Sequence, residues 1–421
     1  MAYRRAAVVA LVAGSALVAS IFVMMPSLAL INASEPSRRI MALGSNAYYP
    51  DTENEQVTMN AVRPGDMKPN SFVWFLDPYG KTMGELYDGS SASLTLDRKE
   101  LERFEQRDAF EYYLLIRLPA WLGGEKDDTS SFRAYHAISL SDNCLFRYWS
   151  TEGRWRMENP CAGDIYRAWD GLAVAGPASV GMVGGTISTG YHPALQMFRL
   201  SVDSEGYLVA HKPDNSLQGD GVQAEGRRLS PQDVDESNKE MVQAAGEYAG
   251  YSLPFPSTIQ TDYRLTDLNP SIGPWWMETQ SEPPMQATYT YSNRQYAAIT
   301  IDVYPVQNHP DLKLGGPLVS RSDSGYLVNG TVVGALLHLA YPRPQGMPEP
   351  QIREGTNIAG DFAILVAPSE LGGDSYTGAG AIVWGKSPDG KEDIVVVLNT
   401  SDVRMDELAS MVESLGVRKS G

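Results

Sequence analysis

A mainly β chain joined to an α+β half, behind an N-terminal transmembrane helix, is the fold class this sequence predicts. Three observations predict it. An uncharged run, AAVVALVAGSALVASIFVMMPSLALI, fills Ala6–Ile31. From Ser131 to about Pro213, short aromatic and branched runs alternate with Gly- and Pro-containing turns, the pattern of an antiparallel β domain. Beyond Lys239, strand-like runs are flanked by helical ones, which indicates α+β.

At 1.5 Å per residue the first run is long enough to cross a hydrocarbon core of roughly 30 Å. It exceeds the roughly 7–15 apolar residues of a signal peptide, so an anchor is expected, with cleavage and secretion the alternative. Arg4 and Arg5 would keep the N-terminus cytoplasmic and place the bulk outside, single-pass. The sequons Asn329-Gly330-Thr331 and Asn399-Thr400-Ser401 would then be open to glycosylation. The expected divisions are an anchor over 1–39, a linker over 40–55, a β domain over 56–213, a linker over 214–240 and an α+β domain over 241–421.

Within the β domain, strands are expected at Gln56–Val62, Ser71–Leu76 and Tyr112–Leu118, with a short amphipathic helix over 96–111. Five more runs follow: FRAYHAISL, CLFRYWS, GRWRM, LQMFRLSV and GYLVAH. The C-terminal half opens with a helix around Lys239–Ala249. Strands follow at Ala287–Tyr291, Ala297–Tyr304, Ser324–Val328, Thr331–Leu339, Phe362–Ala367, Ala379–Trp384 and Asp393–Leu398. A closing helix is capped by Ser401 or Asp402 and ended by Gly416.

The 421 residues carry 51 acidic against 34 basic side chains, a net charge of −17. Such a chain repels phosphate backbones and is not expected to bind nucleic acid. Two Cys exclude a four-thiolate metal site, and the five His form no HxxxH pair. No GxSxG, HExxH or Walker pattern occurs, so no catalytic residues and no self-contained active site are expected. His136 reads as a buried or edge histidine of its strand. Tyr148, Trp149, Trp155, Tyr166 and Trp169 read as core packing.

The informative stretch is 136–178. A first loop reads Ser139-Leu140-Ser141-Asp142-Asn143-Cys144, and a second reads Asn159-Pro160-Cys161-Ala162-Gly163-Asp164. Tyr166, Gly171 and Gly176-Pro177-Ala178 follow, then a strand pair closed by an Asp203-to-Gly206 turn. In order and spacing these residues resemble a Rieske-type iron–sulfur subunit of a cytochrome bc-like complex. That family's loops read Cys-x-His-x-x-Cys and Cys-Pro-Cys-His-Gly-Ser.

The resemblance covers roughly 56–213 and implies a Rieske-like antiparallel β domain. A [2Fe–2S] cluster of this type needs two thiolates on one iron and two imidazoles on the other. Ser139, Ser141, Asn159 and Ala162 stand in those four positions, and none suits a soft iron site. The resemblance therefore implies a Rieske-like protein that has lost its cluster-binding residues, with no metal site and no cofactor of its own. Cluster binding through other residues is the alternative.

The resemblance also implies that Cys144 and Cys161 form the disulfide joining the two loops. Free thiols or a redox-active pair are the alternatives. The tip made by 139–144 and 159–164 is expected to be polar and acidic, suited to a basic partner and not to quinone. The function implied is a non-redox subunit or accessory of a membrane respiratory complex. An electron-transfer subunit with unusual ligation and a cell-surface ligand-binding protein are the alternatives. The C-terminal half resembles, more weakly, anchored or secreted modules ending in the Trp384-to-Gly390 hairpin and the Glu407–Leu415 helix, which implies no chemistry.

Overall fold

The computed structural model describes residues 38–43, 56–97, 111–150, 155–180, 191–212, 226–256, 259, 263–270, 284–291, 298–314, 319–322, 325–328, 351–369, 378–401 and 403–421. Strands β1 (Arg38–Arg39), β2 (Met41–Leu43), β3 (Gln56–Ala61), β4 (Phe72–Leu76), β5 (Ser93–Asp97), β6 (Tyr112–Arg117) and β7 (Phe132–His136) open the N-terminal half. A small sheet follows from β8 (Arg147–Trp149), β9 (Arg156–Glu158), β10 (Ile165–Arg167) and β11 (Ala173–Ala175). The half ends with β12 (His192–Leu195), β13 (Met197–Val202), β14 (Leu208–His211) and β15 (Gly226–Leu229).

The large sheet runs β1-β14-β13-β7-β6-β4-β2-β3-β5, every pairing antiparallel. Its edge strand β1 passes through one residue, Ile40, into β2 near the other end, so the sheet closes on itself. Ile40 N–H donates to Leu208 O at 3.0 Å, Val62 N–H to Ile40 O at 3.1 Å and Leu208 N–H to Val62 O at 2.8 Å. Closure removes an exposed edge and encloses Ile40, Phe75, Tyr113, Leu115 and Phe198.

The second half is one antiparallel sheet. Strands β16 (Tyr263–Pro270), β17 (Met285–Tyr291), β18 (Ala298–Pro305), β24 (Asp393–Ser401), β23 (Gly378–Lys386), β22 (Phe362–Ala367) and β21 (Gln351–Gly355) lie in that order. The hairpin of β19 (Val319–Ser322) and β20 (Gly325–Val328) stands apart. Helices α1 (Lys81–Leu86), α2 (Pro231–Ala249) and α3 (Met405–Ser414) complete the described elements.

One core joins the halves. Leu114, Tyr135, Trp155 and Tyr166 pack in the same buried cluster as Met241 of α2, Leu268, Ile301 and Val396 of the second sheet, and Leu408 of α3. Polar contacts cross the same boundary. Trp121 Nε1 donates to Leu268 O at 2.8 Å, and Arg264 to Ala173 O at 2.7 Å.

Two expectations are corrected. The transmembrane helix and the single-pass placement are not supported: no helix among the described residues is long and apolar enough to cross a membrane. The described chain is mostly antiparallel β with helices of 6, 19 and 10 residues, and residues 6–31 lie outside the description. Part of the expected 40–55 linker is strand β2, whose Met41 is buried.

The helix expected near Lys239 starts at Pro231, where Ser230 and Asp233 form a capping box. Arg404, not Ser401 or Asp402, caps α3. Of the 96–111 helix, Leu96 and Asp97 belong to β5, and 98–110 lie outside the described residues, as does Thr331–Leu339. The sequon at Asn399 sits in β24 between β18 and β23, half-buried and with its amide oxygen buried. Asn329 lies outside the described residues.

Candidate functional site

The two loops singled out in the sequence come together at one end of the small sheet. Each closes on itself through a residue with positive φ. Asn143 (φ 61°) donates from its backbone to Ser139 O at 3.2 Å, and Gly163 (φ 78°) to Asn159 O at 2.9 Å. Asn and Gly are the residues that tolerate this conformation. Return bonds run from Ser139 N–H to Cys144 O and from Asn159 N–H to Asp164 O, at 2.9 and 2.8 Å. The loops are twins in backbone, and the Cys144–Cys161 disulfide joins them with Cα atoms 6.3 Å apart.

Three of the four residues expected at lost-ligand positions, Ser139, Ser141 and Asn159, meet on one carboxylate. Asp164 is fully buried, and its Oδ2 accepts from Ser139 Oγ at 2.8 Å, from Ser141 Oγ, and from Asn159 Nδ2 at 3.3 Å. Its Oδ1 accepts from Ala178 N–H at 2.8 Å. The fourth position, Ala162, contributes only its backbone N–H, which with that of Cys161 donates to Asn159 Oδ1 at 3.3 and 2.8 Å. Tyr166 OH accepts from Leu140 N–H and pairs with Ser139 Oγ, both at 3.0 Å. Burial pushes that phenol far above its ordinary range, so it stays protonated.

Asp164 was legible only as one acidic residue of the tip. It stands where the motif of the resembled family closes in Ser, and the preceding glycine and the Gly176-Pro177-Ala178 turn are the available signals. Gly176 has φ 83°, and a Cβ there would stand 2.7 Å from Asp164 Cα. A side chain at 176 would therefore expel the aspartate that the turn clasps.

The expectation of a polar, acidic tip holds only in part, because Ser141, Asp142 and Asn143 stay half-buried at the tip while the other three polar residues are buried. Ser139, Asn159 and Asp164 are 0%, 2% and 0% exposed, whereas Leu145 is 44% exposed and Pro160 and Cys161 lie at the surface. The polar groups turn inward because each finds its partner in the opposite loop. His136 is buried and stacks on Tyr113 with ring centroids 5.0 Å apart. Trp155, Tyr166 and Trp169 are buried.

A second polar cluster lies where α2 meets β10. Arg167, fully buried, donates to Asp170 Oδ1 at 2.9 Å and Oδ2 at 2.5 Å, to Leu265 O at 3.0 Å, and to Asn238 Oδ1. Burial pushes the Asp170 carboxyl up, but Arg167 and Ser237 more than offset it and leave the group at about 2. An open cleft of about 650 Å³ lies between α2 and the Ser387–Lys391 turn. Val242, Leu253 and Phe255 give it apolar walls, and Lys239 and Lys391 give it cations.

No family description and no curated protein matches the chain. Among solved structures, the terminal oxygenase of carbazole 1,9a-dioxygenase from Novosphingobium sp. KA1 aligns at 10% identity. The TM-score is 0.20, with 85% of this chain and 76% of that one covered. At that score the fold assignment is left to the chain's own strands and loops.

Proposed function

We propose that this chain carries a Rieske-like β domain whose cluster cradle has become a hydrogen-bonded knot. On this reading it serves as a non-redox accessory of a respiratory electron-transfer complex. One observation carries the cluster-free half of the reading. Ser139, Ser141 and Asn159, at three of the four ligand positions, converge on the buried Asp164 carboxylate. Three converging donors occupy that carboxylate oxygen, and Ala162 has no ligating atom, so the pair of loops has nothing to hold two irons with.

Iron analysis after anaerobic reconstitution tests the first half. The expected outcome is less than one iron per chain and no Rieske-type EPR signal; two irons with that signal overturns it. Co-purification with a respiratory complex tests the second half. The net charge of −17 favours a basic partner, so association should weaken as salt shortens the Debye length toward about 8–10 Å. Tight, salt-insensitive binding abolished by a quinone-site inhibitor contradicts it.

The cleft beside α2 favours a second reading, that of a ligand-binding protein. Its volume of about 650 Å³ falls within the range of small-molecule sites. A thermal-shift screen supports that reading if a hit loses its effect in Lys239→Ala.

A further inference from the structure

The tip loops are fastened twice, by bonds of different chemistry. Outside lies the Cys144–Cys161 disulfide, with Cys161 exposed and Cys144 half-buried. Inside lies the Asp164 knot, which ties Ser139 and Ser141 of one loop to Asn159 of the other through a single carboxylate. Opening the outer link leaves the inner one in place, so the two cysteines stay close after reduction.

A third ligand-bearing side chain faces them. Asp142 Oδ1 accepts from Cys144 N–H at 3.1 Å and from Asn159 Nδ2 at 2.9 Å, which fixes the carboxylate against both loops. One Asp142 oxygen and the two sulfurs all lie within 4.8 Å of one another, and no other such grouping of three occurs among the described residues. A tetrahedral zinc site with Zn–S of about 2.3 Å holds two sulfurs about 3.8 Å apart. Side-chain rotation at Cys144 and Cys161 supplies that separation.

We propose that the reduced tip is a zinc-type divalent-cation site, with the Cys144 and Cys161 thiolates and the Asp142 carboxylate as protein ligands and water in the fourth position. A dithiol reductant opens the site. Its thiolate attacks the exposed Cys161 sulfur, the S–S bond breaks toward Cys144, and the second thiol resolves the mixed disulfide. The reductant leaves as its own disulfide, and its two electrons and two protons end on the cysteines. Metal binding then releases both thiol protons to water. Two soft sulfurs and one oxygen select zinc over magnesium or calcium. The site requires only that the loops stay paired, so it stands or falls independently of the Rieske reading.

Zinc titration against a chromogenic chelator tests the proposal, on the full chain either oxidised or reduced with dithiothreitol that is then removed under anaerobic conditions. Cobalt(II) serves as a spectroscopic probe for thiolate ligation. The expected result is one zinc per reduced chain, none per oxidised chain, and a thiolate-to-cobalt absorption band. Cys144→Ser/Cys161→Ser should abolish binding. Asp142→Asn should weaken it by about tenfold or more, the scale on which even supporting contacts act at metal sites. Zinc binding by the double serine variant, no binding by the reduced chain, or equal affinity in Asp142→Asn overturns it. So does loss of the folded circular-dichroism spectrum on reduction, because the inner knot is then not holding the loops.

Discussion

A carboxylate buried with no cation beside it is stable only when donors replace the water it has lost. Asp164 has four: two hydroxyls, an amide and a backbone N–H. Replacing it by Asn removes the charge and turns an N–H group toward donors. Asp164→Asn is therefore expected to lower stability by about 1.5–3 kcal/mol, the range for hydrogen bonds to charged groups, read from the urea midpoint at constant m. Tyr166→Phe removes one neutral acceptor from Leu140 N–H and should lower it by about 1 kcal/mol. A larger loss in Tyr166→Phe than in Asp164→Asn would place the organising group on the phenol.

At the scale of elements, the disulfide and the buried arginine do separate jobs. The disulfide closes a short loop between residues 17 apart, which is worth about 3 kcal/mol through the unfolded chain. Cys144→Ser/Cys161→Ser should lower the unfolding midpoint accordingly and leave the far-UV spectrum intact. Arg167 instead ties β10 to α2 and to β16, through Asp170, Asn238 and Leu265 O. Arg167→Ala leaves Asp170 charged without its cation, and about 3–5 kcal/mol is expected to go with it. Isothermal urea unfolding distinguishes the two, because only the second loss is independent of reductant.

These elements also mark what the sequence discloses. Aromatic and branched runs disclosed β3, β4 and β6 to within a residue or two, whereas β7 ends at His136, four residues before the end of its run. Strand β16 escaped notice because Thr266, Asp267 and Asn269 are buried polar residues and a register shift between Leu265 and Asp267 breaks the alternation. The start of α2 escaped because its first two turns are acidic and look like linker, although Ser230-Pro231-Gln232-Asp233 is a helix-start signal. In the tip, spacing disclosed which loops meet. It could not disclose that their polar groups point inward, because that depends on the partner each one finds across the gap.

For the whole molecule, the contact between the halves contains charge that responds to pH. Asp267 of β16 is 3% exposed and lies 3.4 Å from Arg156 of β9, which also binds Glu158. Burial pushes the Asp267 carboxyl up to about 6, and Arg156 only partly opposes it. Asp302 of β18, beside Gln286, is pushed by burial to about 7. Both groups are carboxylic acids with folded values above the ordinary 3.8, so the folded chain holds these protons more tightly than the unfolded one. Their stabilisation is complete below pH 3.8 and is lost as pH rises through 6 to 7. His192 and His211, lowered by burial, act in the opposite sense over part of the same range. The informative quantity is therefore the difference between the unsubstituted chain and Asp267→Asn/Asp302→Asn, which share both histidines. At pH 8 the double variant escapes the burial of two charges and should be the more stable by a few kcal/mol, since each tenfold change in proton affinity is worth about 1.4 kcal/mol. That advantage should shrink steadily toward pH 4 in urea unfolding, whereas a difference that stays flat from pH 4 to pH 8 would mean that neither carboxyl is displaced by the fold.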